Sequence, residues 1–279
     1  YFYRIEYSEK CSFYKRNFMN QLIKLVDISQ KLERCREIEK ADIVFTIADF
    51  VNDSELVGKK LVVYSLQDNS FRNQEIINNK NVLFVIDHCL VSLCEIIGDK
   101  FFCLLNISEL YRNKYQSEVL PLSERKYDIV FMGTTQYDEK ITKHRLDVIK
   151  NIEDVCSKNN LQCYTSTAPI KYSKYMNILN NAKIFISPYG WGEFSLKEYE
   201  CICYGAHIVK PKIYFQYYPN YCENMDDFEI DFSNFESKIL HILANLGEAQ
   251  KKVDSNRKMF LDYSVNTHLA ELEKLFFYS

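Results

Sequence analysis

Short runs of almost unbroken apolar residues alternate with helix-patterned segments along most of this 279-residue chain. A strand that is apolar without alternation is covered on both faces, and parallel sheets with helices on either side provide that cover. Such runs occupy residues 1–7, 42–48, 60–66, 81–87 and 101–105, with helices expected between them, most clearly at 14–26 and 90–97. Residues 111–126 (YRNKYQSEVLPLSERK) are polar, hold a proline and have no clear period, so they read as an interdomain linker. A second series follows. Strands are expected at 127–132, 162–165, 183–187 and 207–209, and helices at 140–158, 172–181, from 195 onward, 234–246, 248–263 and 266–277. The order of elements therefore predicts an α/β fold of two doubly wound, Rossmann-like domains facing a central cleft. The first spans 1–120 and the second 121–262, with a C-terminal helix at 263–279 crossing back to the first. Ligands in open parallel sheets bind beyond the C-terminal strand ends, so the loops there are the places to search.

Composition narrows the partners. A net charge of −3 offers no electrostatic reason to expect nucleic acid or an anionic membrane, and no apolar run reaches the length of a membrane span. Ten cysteines are scattered (11, 35, 89, 94, 103, 156, 163, 201, 203, 222), several inside apolar runs and none in a C-x-x-C pair. That pattern fits buried free thiols in a reducing compartment better than a disulfide framework or a zinc site. With neither a signal-peptide pattern nor a membrane anchor, the expected location is cytoplasmic.

The segment SPYGWGEFSLKEYECICYGAHIVKP, residues 187–211, carries the most chemistry. It reads as a strand end, a loop with Gly190, Trp191 and Gly192, a short helix and a second strand. Ser195 followed by Glu198 is a capping box, with Leu196 opening the helix and Gly205 at its C-terminal cap. Lys197 falls in the first turn, where a cation is disfavoured by the macrodipole unless an anion such as a phosphate docks there; otherwise it runs out to solvent. Glu200 shares the stripe of Leu196 and Cys203, and a carboxylate aimed at a core needs donors, which sugar hydroxyls provide; otherwise it rolls to the helix edge. Together the two charges point to a nucleotide sugar.

The pattern S-P-x-G-x-G-E-x-S-x-K-E-x-E-x4-G-x-x-x-V-K-P resembles the C-terminal domain of exostosin-like glycosyltransferases of the GT-B fold, over roughly residues 127–211. It is more loosely similar to the E-x7-E signature of retaining GT-B enzymes. The resemblance implies that Glu200 holds the ribose hydroxyls of the nucleotide and that Lys197 faces the diphosphate. Glu193 precedes Glu200 at E-x6-E spacing, which departs from the retaining signature, and inversion is the expectation. The implied activity is transfer from a UDP-sugar to a glycan acceptor without a metal or other cofactor. The compact, soluble form resembles the exostosin-like xylosyltransferases encoded by chlorella viruses, which makes UDP-xylose the first donor.

Other groups complete the picture. Gly133, Thr134 and Thr135 follow the first strand of the second series, with Arg145 on the next helix able to take a phosphate bidentately. Tyr172 and Tyr175 either flank a nucleobase or pack as core residues of their helix, and the aromatic run 214–221 either forms a sugar wall or pins a long loop to the second domain. An inverting transfer needs a base, expected in a strand-end loop of the first domain. Glu9, Asp68 and His88 are the leading candidates, ahead of Glu6, Asp49 and Asp87. Asp226, Asp227, Glu229 and Asp231 follow no hydrophobic strand and read as a solvated acidic loop, not a metal motif. A dinucleotide-type epimerase would need G-x-G-x-x-G after the first strand, which is absent; a GT-B module that binds without turnover is the other alternative.

Overall fold

The computed structural model describes residues 112–190, 194–213 and 220–262, together with 2–6, 33–34, 41, 43–47, 57–64, 80–87, 89–90, 101–103 and 216–217. The chain divides into two units. One takes in Tyr1–Leu110 with Phe215–Pro219 and Tyr263–Ser279, the other Tyr111–Tyr214 with Asn220–Asp262.

The first unit is built on a six-stranded parallel sheet. Its strands are β1 (Phe2–Glu6), β2 (Glu33–Arg34), β3 (Ile43–Ile47), β4 (Lys60–Tyr64), β5 (Val82–Asp87) and β7 (Phe101–Cys103), in the order β2-β1-β3-β4-β5-β7. Leu61, Val62 and Val63 are consecutive and all buried. Neighbouring side chains on a strand point to opposite faces, so both faces of this sheet are covered, as the unbroken apolar run requires. Residue 90, the expected start of a helix, instead lies with residue 89 in a short strand β6 (Cys89–Leu90) that pairs antiparallel with β12 (Gln216–Tyr217). The expected helices at 14–26 and 266–277 lie outside the described residues.

The second unit has five parallel strands: β8 (Tyr127–Met132), β9 (Cys163–Ser166), β10 (Ala182–Ile186), β11 (His207–Pro211) and β13 (Asp226–Phe228), in the order β13-β11-β10-β8-β9. Helix α1 (Glu139–Asn159) joins β8 to β9, α2 (Tyr172–Asn180) joins β9 to β10, and α3 (Leu196–Tyr204) joins β10 to β11. Helices α4 (Phe235–Ala244) and α5 (Leu246–Asp262) follow β13. Helix α1 buries Val148, Ile152 and Val155 at helical spacing against Ile129, Phe131 and Ile184 of the central strands. Asp138 caps its start by accepting from the Ile141 amide at 2.9 Å, and Asn160 ends it in the left-handed region at φ 52°.

Counted from β8, the strand order reverses direction between β8 and β10. Both strands end at that switch point, β8 running into Gly133 and β10 into Ser187. It is where an open α/β sheet leaves a crevice for a ligand.

Residues 112–126 are packed into this unit. Leu122 is buried, Tyr115 stacks on Phe260 with centroids 5.5 Å apart, and Arg125 is buried against main-chain carbonyls. Their polarity serves internal acceptors, which is why they read as a linker in the sequence. Asp226 also departs from expectation. It lies on edge strand β13 and accepts from His207 Nε2 and Lys252 Nζ, both at 2.8 Å, so it is an ion-paired strand residue and not part of a solvated loop. Cys156, Cys201 and Cys203 are buried free thiols, and Cys163 is exposed. Among the described residues no helix is long and apolar enough to cross a membrane.

Candidate functional site

Helix α3 begins with the capping box expected from Ser195 and Glu198. The Ser195 side chain accepts from the Lys197 amide, and the Ser195 amide donates to Glu198 Oε2 at 2.8 Å. At the other end Gly205 sits at φ 69°, where a Cβ would meet Val119 at 2.9 Å. Two buried arginines take the free carbonyls there, Arg125 Nη2 on Tyr204 O and Arg257 Nη1 on Cys203 O. With cations at its C-terminus, the helix turns the positive end of its dipole towards the switch point.

Two more cations meet at that positive end. Lys197 folds over the end of β8, its ammonium donating to the Met132 carbonyl. Arg145 reaches the same spot from α1 and is only 4% exposed. Its Nη1 donates to Thr134 O at 2.7 Å, its Nε to Tyr189 O at 2.8 Å, and its guanidinium lies 4.5 Å over the Tyr137 ring. Gly133 lies beneath both: a Cβ there would collide with the Lys197 ammonium and stand 3.2 Å from Arg145 Nη1. Glycine is required by the close approach of the two cations. Gly190 completes the cluster, its Cβ position 3.5 Å from Arg145 Nη2.

The electrostatics of this cluster call for an anion. Among the described residues no carboxylate comes within ion-pair distance of Lys197 or Arg145. Burial lowers the pKa of both, and for Lys197 the Arg145 charge adds to burial and brings it down to about 8. A bound diphosphate would reverse both effects.

Two details differ from the sequence expectation. Arg145 uses Nε and Nη1 on main-chain carbonyls, and its Nη2 is directed towards Gly190. Thr134 meets Arg145 through its carbonyl, while its hydroxyl accepts from the Gln136 amide at 3.0 Å. His144 stacks on Tyr189 at 5.3 Å and so buttresses the loop that carries Gly190.

One turn along α3 lies Glu200. Its Oε2 accepts from Tyr175 Oη at 2.8 Å, and its Oε1 is 3.7 Å from Lys114 Nζ. The protein thus meets part of the demand for donors that was expected to fall on sugar hydroxyls. With 14% of its side chain exposed, the carboxylate lies at the edge of the buried stripe. Burial and then the Glu200 charge push the Tyr175 hydroxyl well above the usual tyrosine range, so it stays a donor. Tyr172 stacks on Tyr175 with centroids 6.3 Å apart, is 51% exposed, and carries Lys114 at 5.3 Å from its ring. Leu196 is half-buried at the first helical position.

Sequence reasoning passed over one group. Glu198 is fully buried and forms an ion pair with Lys210 of β11, which is 1% exposed. Burial alone would raise the Glu198 pKa, but Lys210 and the hydroxyls of Ser195 and Ser187 outweigh it and hold the carboxyl below its usual value. The available signal was a single lysine inside the apolar run His207–Pro211.

The expected bases Glu9, Asp68 and His88, and the loop residues Trp191, Gly192 and Glu193, lie outside the described residues. Among the described residues no group of histidine, cysteine and acidic side chains is placed to hold a metal ion.

No protein-family model matches the sequence, and no curated protein matches it. Solved structures match the fold. TarM superposes with a TM-score of 0.56 at 15% identity, over 94% of this chain and 58% of that one, so the chain spans less than two thirds of TarM. An alpha-glucosyltransferase in complex with UDP and a 13-mer DNA containing a HMU base matches at TM-score 0.52 and 9% identity, over 98% of both chains. A putative UDP-N-acetylglucosamine 2-epimerase from Listeria monocytogenes matches at 0.50 and 11%, over 95% of this chain and 86% of that one. At these identities the likeness establishes the fold, which is GT-B.

Proposed function

We propose that the chain is a glycosyltransferase that moves a sugar from a UDP-sugar to an acceptor hydroxyl. The observation that carries this reading is the cluster at the switch point: Lys197 and Arg145 stand over Gly133, one helical turn from Glu200. A buried arginine and a half-buried lysine at a helix N-terminus suit a diphosphate. The carboxylate beside exposed Tyr172 suits a ribose and its base. In the transfer, an acceptor oxygen bonds to the anomeric carbon as the bond from that carbon to the diphosphate oxygen breaks. The acceptor proton passes to a base, and Lys197, Arg145 and the positive end of α3 take the charge of the departing UDP. Inversion, independence from metal and UDP-xylose as first donor are the finer terms of the proposal, supported by the exostosin-like motif and its E-x6-E spacing. The base is assigned to Glu9, Asp68 or His88, and the acceptor to a glycan.

A neighbour of this fold was solved with DNA, so the net charge of −3 does not exclude a nucleic-acid acceptor, and DNA belongs among the acceptors tried. The epimerase neighbour likewise means that the missing G-x-G-x-x-G motif does not separate transfer from epimerisation. The deciding experiment supplies UDP-sugars with and without acceptor. Equimolar UDP and glycoside, formed only with acceptor, support transfer. Interconversion of sugar epimers without acceptor supports epimerisation, and binding without either product leaves a GT-B binding module. Failure of every UDP compound to raise the unfolding temperature would sink the reading, because ligand at 100 times its Kd adds about 2.7 kcal/mol of apparent stability.

Two consequences are measurable by titration calorimetry. Glu200→Ala should weaken UDP and uridine alike, by about 10- to 100-fold, since hydrogen bonds to a charged group contribute about 1.5–3 kcal/mol. Unchanged uridine affinity would refute the ribose role.

UDP affinity should also fall as pH rises above about 8. The free protein loses the Lys197 proton near that pH, whereas the bound anion favours the ammonium. Binding above pH 8 must therefore take up a proton, and affinity drops by up to about tenfold per pH unit. Lys197→Arg should flatten that limb, and a limb that survives the substitution would assign it elsewhere.

A further inference from the structure

Glu198 joins three separate stretches of chain. Lys210 reaches its Oε1 from β11, and Ser187, just after β10, donates to the same oxygen at 2.9 Å. Ser195 donates to Oε2 through its amide at 2.8 Å and its hydroxyl at 2.6 Å. Lys210 is further boxed in by the Ser187 carbonyl at 3.5 Å and the Phe194 ring at 5.9 Å. A fully buried ion pair is a poor source of stability, because stripping water from both charges offsets their attraction; an apolar pair of similar volume commonly does as well or better. An ionised acceptor for the Ser195 amide and hydroxyl is what an apolar pair cannot supply. Ser195 begins the turn that carries Lys197.

We propose that Lys210 is a positioning residue of the anion site: by keeping Glu198 a carboxylate it fixes Ser195 and sets Lys197 over Gly133. This rests on the reading of Lys197 and Arg145 as the anion contacts. Lys210 itself touches no ligand and acts through Glu198. The other ionisable groups facing Glu198 are Arg145 from α1, Tyr175 from α2, and Lys197 and Cys201 on its own helix. None of them donates a hydrogen bond to its oxygens among the described residues. Without Lys210, burial dominates and raises the Glu198 pKa, so the carboxyl takes up a proton at a higher pH than in the parent. A neutral acid accepts weakly from the Ser195 amide, so the first turn loosens and Lys197 leaves Gly133.

The test compares Lys210→Met with the parent protein between pH 5.5 and 8. The ratio of the variant's Kd for UDP to the parent's should fall by about tenfold as pH rises and Glu198 regains its charge; the titration of UDP itself is common to both and cancels. A second readout needs no ligand. In the parent, Glu198 has a lowered pKa, so its contribution is complete above the ordinary carboxylate range and the stability it adds is flat over this window. In the variant the folded state holds a proton that the unfolded chain has released, so stability falls as pH rises and the gap to the parent widens. A Kd ratio and a stability gap that are both flat with pH would mean simple packing and overturn the proposal. Should Lys210→Met fail to fold, Glu198→Gln/Lys210→Met, with no charge at either of these two positions, should fold and bind UDP more weakly than the parent at a ratio constant with pH. Parental affinity in that double variant would overturn the proposal equally. If the parent binds no UDP, the functional reading fails by itself, and the ligand-free stability gap still decides the role of Lys210.

Discussion

Lys197→Ala should weaken UDP binding by about 100-fold at pH 7 while changing uridine affinity by less than about threefold. The asymmetry follows from where the ammonium sits. It occupies the first turn of α3, where the helix field opposes a cation, and Arg145 adds to that opposition. Among the described residues the Met132 carbonyl is its hydrogen-bond partner, and a ligand's oxygens can take its remaining hydrogens. Such a group is unfavourable in the empty site and favourable in the loaded one, so its removal acts on diphosphate binding and hardly on folding. The variant without ligand should be as stable as the parent or slightly more so, by up to about 1 kcal/mol. UMP, which lacks the β-phosphate, should lose less than UDP. Calorimetry on the three ligands settles the matter. Equal losses for UDP and uridine would make Lys197 a structural residue, and no loss for either would move the diphosphate elsewhere.

The sequence shows α3 well because its signals are local. Ser195, Glu198 and Gly205 mark its ends within ten residues of one another, and the cost of a lysine in the first turn can be stated without knowing the fold. The parallel sheets are legible for a similar reason. A run such as Tyr127–Met132 is apolar enough to be a central strand whatever lies beside it, and four of its six residues are buried. What escapes is pairing across the chain. A capping-box glutamate is ordinarily a surface residue, and Glu198 is buried because the register of β10 with β11 brings Lys210 beneath it. Arg145 is turned by a carbonyl 44 residues away, at Tyr189, so its availability to a ligand is not written near it. Strand β13 escapes because three residues opening with Asp226 and Asp227 show no periodicity. Neighbours hold them in the sheet: Val209 by pairing, His207 by a hydrogen bond to Asp226 and Lys252 by an ion pair with it.

Arg125→Ala should destabilise the second unit by about 3–4 kcal/mol, the largest effect on stability expected from a residue outside the site. Arg125 is 3% exposed, and each arm of its guanidinium holds a different carbonyl: Leu120 through Nε at 2.9 Å, Ala182 through Nη1 and Tyr204 through Nη2, both at 3.0 Å. The side chain therefore ties the polar stretch before β8 to the start of β10 and the end of α3. Burial first, and then the nearby Arg257, brings its pKa down to about 10, so it remains a cation at neutral pH. It is tolerated in the interior because it faces the negative end of α3. Alanine would leave those carbonyls without a donor, each at a cost of about 1–3 kcal/mol less what entering water recovers. Arg125→Lys should recover only part of the loss, since one ammonium cannot span three acceptors set out for a planar fork. The residue stands at the opposite end of α3 from Lys197, about 13 Å along a nine-residue helix. UDP affinity of the folded protein should accordingly stay within about threefold of the parent's. Urea unfolding followed by circular dichroism measures the first effect and calorimetry the second. A loss below about 1 kcal/mol would show that water replaces the guanidinium on the carbonyls. A large fall in UDP affinity would show instead that the two ends of α3 move as one.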